Sequence, residues 1–128
     1  MSIKVIATDL DGTLTNSKKE ITPRTQKTLE KAMDLGVKVV LASGRPYYGV
    51  KNLAAQLQLE KRGGYILCFN GAKLVNCQTK KVLFEQTIPV QEIEVLDYLA
   101  RHYHATILTY TDDTILTTDP DDEYVSLP

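Results

Sequence analysis

The stretch Ile3-Lys4-Val5-Ile6-Ala7-Thr8-Asp9-Leu10-Asp11-Gly12-Thr13-Leu14 decides how this chain of 128 residues is read. Its apolar run predicts a buried strand, and two carboxylates one residue apart stand at the strand's mouth. Like charges that close raise each other's pKa unless a cation or a chemical task holds them there. A purely structural loop has little reason to keep such a pair. A divalent metal, with an acid/base or nucleophilic role for the two aspartates, accounts for it best.

Two further apolar runs end in the same manner. Val37-Lys38-Val39-Val40-Leu41-Ala42 runs into Ser43-Gly44-Arg45-Pro46, and Tyr65-Ile66-Leu67-Cys68-Phe69 runs into Asn70-Gly71. Residues 22–35 predict a helix between the first two runs, with Leu29, Ala32 and Met33 at helical spacing. Thr22 suits its cap, Pro23 its first position and Gly36 its stop. Val50, Leu53, Ala54 and Leu57 repeat at i, i+3, i+4 and i+7 and predict a second amphipathic helix. Alternating strands and helices, with near-continuous apolar strands, read as an α/β fold on a parallel sheet.

All strand C-termini of such a sheet lie along one edge, where ligands bind in open α/β folds. Neighbouring strands sit about 4.8 Å apart, so three adjacent ends converge within roughly 10 Å. Asp9 and Asp11, then Ser43-Gly44-Arg45, then Asn70 are therefore expected to face one small ligand. Ser43 offers a hydroxyl, Gly44 an unobstructed N–H and Arg45 a permanently charged fork. Pro46 is expected to start the next helix, which sets these groups at a positive N-terminal end. Two carboxylates facing an anion need a cation between them. Carboxylates, cation and anion cradle together point to phosphoryl transfer, which asks for positioning and charge neutralisation.

Asp9-Leu10-Asp11-Gly12-Thr13-Leu14 resembles the first motif of haloacid dehalogenase-like phosphatases. Ser43-Gly44-Arg45-Pro46 resembles the second as written in their Cof-type branch, and Phe69-Asn70-Gly71-Ala72 resembles that branch's turn after the third strand. The resemblance covers almost the whole chain. It implies a Rossmann-like parallel sheet with helices on both faces, truncated, over residues 1–84, and the first part of an α+β cap domain over residues 85–128. It also implies that Asp9 attacks phosphorus to form a transient aspartyl-phosphate, with Asp11 as general acid and then base. The implied Mg²⁺ is held by the Asp9 carboxylate and the Asp11 backbone carbonyl. Ser43 and the Gly44 amide are implied to bind phosphoryl oxygens, with Arg45 and Asn70 near the phosphate or the sugar. The implied substrates are phosphorylated sugars and similar small metabolites.

That family also uses a third-motif lysine and a fourth-motif acidic pair in a Gly-Asp-x-x-x-Asp setting, both after the cap. The resemblance implies that Pro128 falls inside the cap, and nothing after Asn70 in this sequence supplies either motif. Lys73, Lys80 and Lys81 fall in an expected hairpin, and Asp119, Asp121, Asp122 and Glu123 lack the glycine setting. The expectation is a polypeptide inactive or nearly so by itself, since losing one electrostatic stabiliser costs about 10²–10³-fold. The first strand is central in the family. Here residues 3–8 are expected to form an exposed apolar edge, predicting self-association or a complementing fragment.

The hairpin expected at the head of the cap segment joins Lys73-Leu74-Val75 to Val82-Leu83-Phe84 around residues 78–81. Residues 90–103 then predict a helix with Ile93, Leu96, Ala100 and Tyr103 on one face, and residues 105–110 and 114–117 a second hairpin turned at Asp112-Asp113. A net charge of −1 with interspersed signs argues against a nucleic-acid or membrane surface. No apolar run approaches the roughly 20 residues of a membrane span. Met1-Ser2-Ile3-Lys4-Val5 enters a strand directly with no visible signal peptide, which reads as a cytoplasmic protein. Cys68 and Cys77 lack metal or redox spacing and read as buried free thiols.

Bland readings stand beside these. Residues 9–20 match an EF-hand at its first, third and twelfth positions, but glycine falls fourth, Leu14 sixth, and a strand precedes. Asn70-Gly71 is also a strong hairpin signal, a structural role that ranks above its functional one and is compatible with it. His102 and His104 diverge on a helix and suit a solvated helix end better than a metal. Tyr47, Tyr48 and Tyr65 are expected to pack on the sheet, with Tyr47 or Tyr48 open to a place at a substrate entrance. A non-catalytic phosphate-binding or assembly module on the same surface stays open as a second functional class, and a phosphoryl-group mutase as a third.

Overall fold

The computed structural model describes residues 3–111, 114–122 and 125. Contacts divide the chain into Met1–Gln86 and Thr87–Pro128.

In the first unit, β1 (Val5–Asp9), β2 (Lys38–Ala42) and β3 (Gly64–Cys68) lie side by side and parallel. Helix α1 (Pro23–Asp34) links the first pair. Helices α2 (Tyr47–Gln56) and α3 (Leu59–Arg62) link the second. The start of α1 follows from its sequence: Thr22 Oγ1 accepts from the Thr25 amide at 3.3 Å, and Pro23 occupies a position whose N–H no helix needs. Gly36, at φ 85°, ends it. Pro46 does not open α2 as its first helical residue. With φ −64° and ψ 162° it is the residue before the first turn, because its extended ψ cannot belong to a helix. The short α3, which the periodicity did not reveal, follows a left-handed Gln58 that breaks the line of α2.

Packing places these helices on a common face of the sheet. Leu29 and Met33 of α1, Val50 and Ala54 of α2, and Leu57 join Val39, Leu41, Ile66 and Cys68 in one buried cluster. The Gln26 and Gln56 side chains hydrogen-bond at 3.3 Å, which sets α1 beside α2. Leu41, Leu57, Leu59 and Ile66 are fully or almost fully buried, each stabilising the fold by roughly 1.5–3 kcal/mol. The opposite face, carrying Val40, Ala42, Tyr65 and Leu67, stays partly exposed.

The sheet continues past β3. The turn Phe69–Gly71 reverses the chain at once, so β4 (Lys73–Asn76) pairs antiparallel with β3 and β5 (Val82–Glu85) antiparallel with β4. The hairpin expected at the head of the cap is thus the far edge of the core sheet. A turn that short allows only an antiparallel neighbour. The order β1-β2-β3-β4-β5 leaves β1 at the other edge, with Ile3 72% and Val5 54% exposed.

The second unit holds α4 (Glu92–Tyr103) and an antiparallel pair, β6 (Leu108–Tyr110) and β7 (Ile115–Thr117). Helix α4 begins two residues later than its periodicity predicts, and a left-handed His104 caps its end. None of its residues is buried; Ile93, Leu96 and Tyr103 of the predicted apolar face stand exposed. The expected turn at Asp112-Asp113 lies outside the described residues. No helix among the described residues is long and apolar enough to cross a membrane.

Candidate active site

Register brings the three strand ends level. Asp9 pairs with Ala42, and Ala42 with Leu67, so the chain leaves β1, β2 and β3 at one edge. After β1, Leu10 drops fully into the core and anchors the turn, its carbonyl accepting from the Thr15 amide and hydroxyl, each at 2.9 Å. Gly12, at φ 77°, takes the left-handed step that a side chain resists. With Leu10 as a plug between them, the two aspartates separate. Asp9 lines a cleft, and Asp11 turns to two cations.

The end of β2 is tied to the turn after β3. The Ser43 amide donates to the Leu67 carbonyl at 2.9 Å, the Asn70 amide to the Ser43 carbonyl at 3.2 Å, and the Phe69 amide to the Arg45 carbonyl at 3.1 Å. Ser43 Oγ accepts from the Arg45 amide at 3.1 Å, which leaves its proton to point elsewhere. These ties hold Phe69 and Asn70 at φ 52° and 53°, a region that costs a bulky residue about 1–3 kcal/mol. Strain of this kind persists where the surroundings over-determine it. Here the result is that the Asn70 carboxamide lies against Gly44, where an added Cβ would stand 2.9 Å from Asn70 Oδ1. A side chain at position 44 would have to displace that carboxamide.

Asp9, Ser43, Gly44, Asn70 and Gly71 line a cleft of about 320 Å³, with Ala42 and Leu67 at its back. That is room for a phosphoryl group and a small remainder. The Asp9 carboxylate, the Gly44 amide and the Asn70 carboxamide have no hydrogen-bond partner among the described residues. A larger concavity of about 430 Å³ runs along α1 between Arg24, Lys27 and Lys31, all from one helix, and shares no residue with the strand ends.

Asp11 and Arg45 stand outside this lining. Arg45 Nε donates to Asp11 Oδ2 at 3.0 Å and Nη2 to Oδ1 at 2.6 Å. Lys19 Nζ reaches the same Oδ1 at 2.8 Å. Hydrogen bonds first from Lys19 and then from Arg45 hold the Asp11 carboxyl below the usual carboxylate value, against a smaller opposing effect of burial. The close carboxylates of the first motif are thus relieved by the protein's own cations and by divergence of the side chains. Lys19 went unnoticed in the sequence because a lysine in a polar loop carries no signal of what its ammonium will meet. Of the other lysines, Lys73 pairs with Glu85 at 2.8 Å and Lys80 with Glu60. Tyr47 packs against the core instead of lining the cleft.

Residues 6–127 match the family described as haloacid dehalogenase-like hydrolase. The chain belongs to that family. A haloacid dehalogenase-like hydrolase from Bacteroides thetaiotaomicron is 44% identical, with a TM-score of 0.86 over 94% of this chain and 46% of its own. The pyridoxal phosphate phosphatase YbhA of Escherichia coli is 31% identical over 121 residues, 94% of this chain and 43% of the relative. The 5-amino-6-(5-phospho-D-ribitylamino)uracil phosphatase YwtE of Bacillus subtilis is 32% identical over 117 residues, 89% of this chain and 38% of the relative. The chain therefore spans less than half the length of each of these three proteins.

Whether the site suits a metal follows from its donors. No group of three or more His, Cys, Asp or Glu gathers among the described residues. The unpaired Asp9 carboxylate and the Asp11 carbonyl are hard oxygen donors, and Mg²⁺ is commonly held by one or two carboxylates plus waters and phosphate oxygens. The donor set fits that mode and no tighter one.

Proposed function

We propose that this chain carries part of an Mg²⁺-dependent phosphatase that hydrolyses small phosphorylated metabolites, such as sugar phosphates, through an aspartyl-phosphate. The observation that carries the reading is the unpartnered Asp9 carboxylate facing the donors of Ser43, Gly44 and Asn70 across one cleft. A nucleophile faced by anion-binding donors is what phosphoryl transfer needs. The named relatives, one acting on pyridoxal phosphate and one on a phosphoribityl compound, support small phosphomonoesters as the substrate class.

In this reading Asp9 forms a bond to phosphorus as the ester oxygen leaves with a proton from Asp11. Water then attacks phosphorus, gives its proton to Asp11 and releases Asp9. Ser43, the Gly44 amide and Asn70 hold the phosphoryl oxygens throughout, and Arg45, outside the lining and paired with Asp11, directly follows Gly44 in the chain. Mg²⁺, bound by the Asp9 carboxylate and the Asp11 carbonyl, supplies charge neutralisation. With only those two donors and no lysine lining the cleft among the described residues, turnover by the 128-residue chain alone is expected to be weak.

The sparse donor set also favours a second reading, a phosphate-binding or assembly module without turnover. An assay with p-nitrophenyl phosphate and Mg²⁺ separates them. Slow hydrolysis lost in D9N supports the phosphatase. Phosphate binding with no hydrolysis above a D9N control supports the module. Fast hydrolysis would contradict the expected weakness of this chain.

A further inference from the structure

Asp9 stands at one end of an apolar row. In the parallel ladder Asp9 pairs with Ala42 and Ala42 with Leu67; in the antiparallel one Leu67 pairs with Leu74 and Leu74 with Phe84. Residues paired across a sheet present their side chains to the same face, with Cβ atoms about 5 Å apart. The row therefore runs from Asp9 across β2, β3, β4 and β5, roughly 19 Å in all. Ala42 and Leu67 already line the cleft, and Leu74 and Phe84 carry the row beyond it. This is the open face of the sheet. Ala42, Leu67 and Leu74 are partly exposed and Phe84 is 51% exposed. Leu41, Ile66 and Cys68, next to them along β2 and β3, are buried with the helices on the other side.

A phosphoryl group would occupy the polar side of the cleft, where Asp9, Ser43, Gly44 and Asn70 stand. Among the described residues the rest of the lining is Ala42, Leu67 and Gly71, none with a side chain able to hydrogen-bond a hydroxyl. Asp11 and Arg45 hold each other outside it. A site that selects a hydroxylated group sets polar side chains against the hydroxyls. Gly71, in the turn from β3 to β4, leaves space open, since an added Cβ there would meet nothing within 4 Å. We propose that the site takes phosphomonoesters with an apolar organic group, which lies along Ala42, Leu67, Leu74 and Phe84. This rests on the phosphatase reading above and narrows its substrates. Continuity with the cleft argues for the substrate as occupant of the row: a phosphoryl group between Asp9 and Ser43 leaves the remainder of its molecule beside Ala42 and Leu67. Covering that surface removes apolar area from water, so the row adds affinity for the matching ester.

The test is an NMR titration of the full chain at fixed Mg²⁺ with ethyl, butyl and hexyl phosphate and with glucose-6-phosphate. The Ser43 and Gly44 amides report the phosphate, and the Leu67 and Leu74 methyl groups report the organic part. Each methylene on a half-open surface is worth about twofold, so hexyl phosphate is expected to bind about tenfold more tightly than ethyl phosphate. Both sets of signals should shift together, and glucose-6-phosphate should bind no more tightly than ethyl phosphate. In L74T/F84T the advantage of the hexyl ester is expected to fall to about twofold, with ethyl phosphate bound as before. V5T, on the same face but away from the row, should keep the full advantage. Affinity indifferent to chain length, or glucose-6-phosphate preferred to hexyl phosphate, would overturn the proposal while the phosphatase reading stands. A hexyl ester that shifts Leu74 without the Ser43 and Gly44 amides would show only a greasy surface and overturn it too. So would a dimer in sedimentation velocity that L74T/F84T disperses and hexyl phosphate does not, since a second copy would then own the face. If no phosphate moves the Ser43 and Gly44 amides, the reading itself falls, and the proposal with it. The wild-type series decides the matter even if L74T/F84T does not fold.

Discussion

Arg45 grips Asp11 with two donors, Nε to Oδ2 at 3.0 Å and Nη2 to Oδ1 at 2.6 Å, and so ties the loop after β1 to the turn after β2. Lys19 completes the enclosure. Because the folded carboxyl lies below its ordinary value, the pairing stabilises the fold above the ordinary carboxylate pKa and is lost as pH falls through the depressed one. Exposure keeps that contribution below about 1 kcal/mol. In R45A the Asp11 carboxyl is expected to titrate nearer the usual value in a ¹³C NMR titration. Any loss of stability should be confined to pH above the carboxylate range. An unmoved titration would contradict the pairing.

Gly44 makes the cleft possible by its lack of a side chain. A Cβ there would stand 2.9 Å from Asn70 Oδ1, the far end of a side chain able to swing away. G44A is therefore expected to lose less than about 1 kcal/mol in urea unfolding, yet to bind phosphate more weakly as Asn70 leaves its place. Equal phosphate affinity in G44A and wild type would remove Asn70 from the site.

Both cysteines are free and buried. Burial pushes the Cys77 thiol up to about 11 and raises Cys68 in the same direction. In the native chain neither thiol is expected to react with a disulfide reagent at pH 8 on the timescale of the unfolded control. For Cys77 the sign is opposite to that of Asp11: its share of stability is intact below about 9 and fades as pH climbs toward 11. Prompt labelling of native protein at pH 8 would contradict the burial.

The edge at β1 invites pairing. Ile3 and Val5 are exposed, and no strand lies beyond β1 among the described residues. The proposed occupant is a second copy of this chain, joined edge to edge. Sedimentation velocity is expected to show a concentration-dependent dimer that V5K weakens. A strict monomer at high concentration, or a dimer indifferent to V5K, would contradict that edge.

What could be read before the structure follows from how local each signal is. Helix α1 was legible to the residue at its start because Thr22 and Pro23 act within one turn. The convergence of Asp9, Ser43, Gly44 and Asn70 was legible because parallel neighbours align their ends whatever their side chains. The antiparallel return of β4 along β3 was signalled by Asn70-Gly71 as a hairpin dipeptide, although Lys73-Leu74-Val75 was expected to open the cap segment and instead extends the core sheet. Lys19 was missed for a different reason. Its partner is eight residues away in a loop whose shape depends on Asn16 and Thr15, and no periodicity records that. The pairing of Arg45 with Asp11 was not legible, because it joins two loops 34 residues apart and no local spacing records it.

The most direct measurement is ¹⁹F NMR of the chain with beryllofluoride and excess Mg²⁺, run beside D9N. The account expects a bound beryllofluoride signal in wild type that disappears in D9N, with shifts at the Ser43 and Gly44 amides. A signal that persists in D9N, or none in wild type, would contradict Asp9 as the group that takes the phosphoryl.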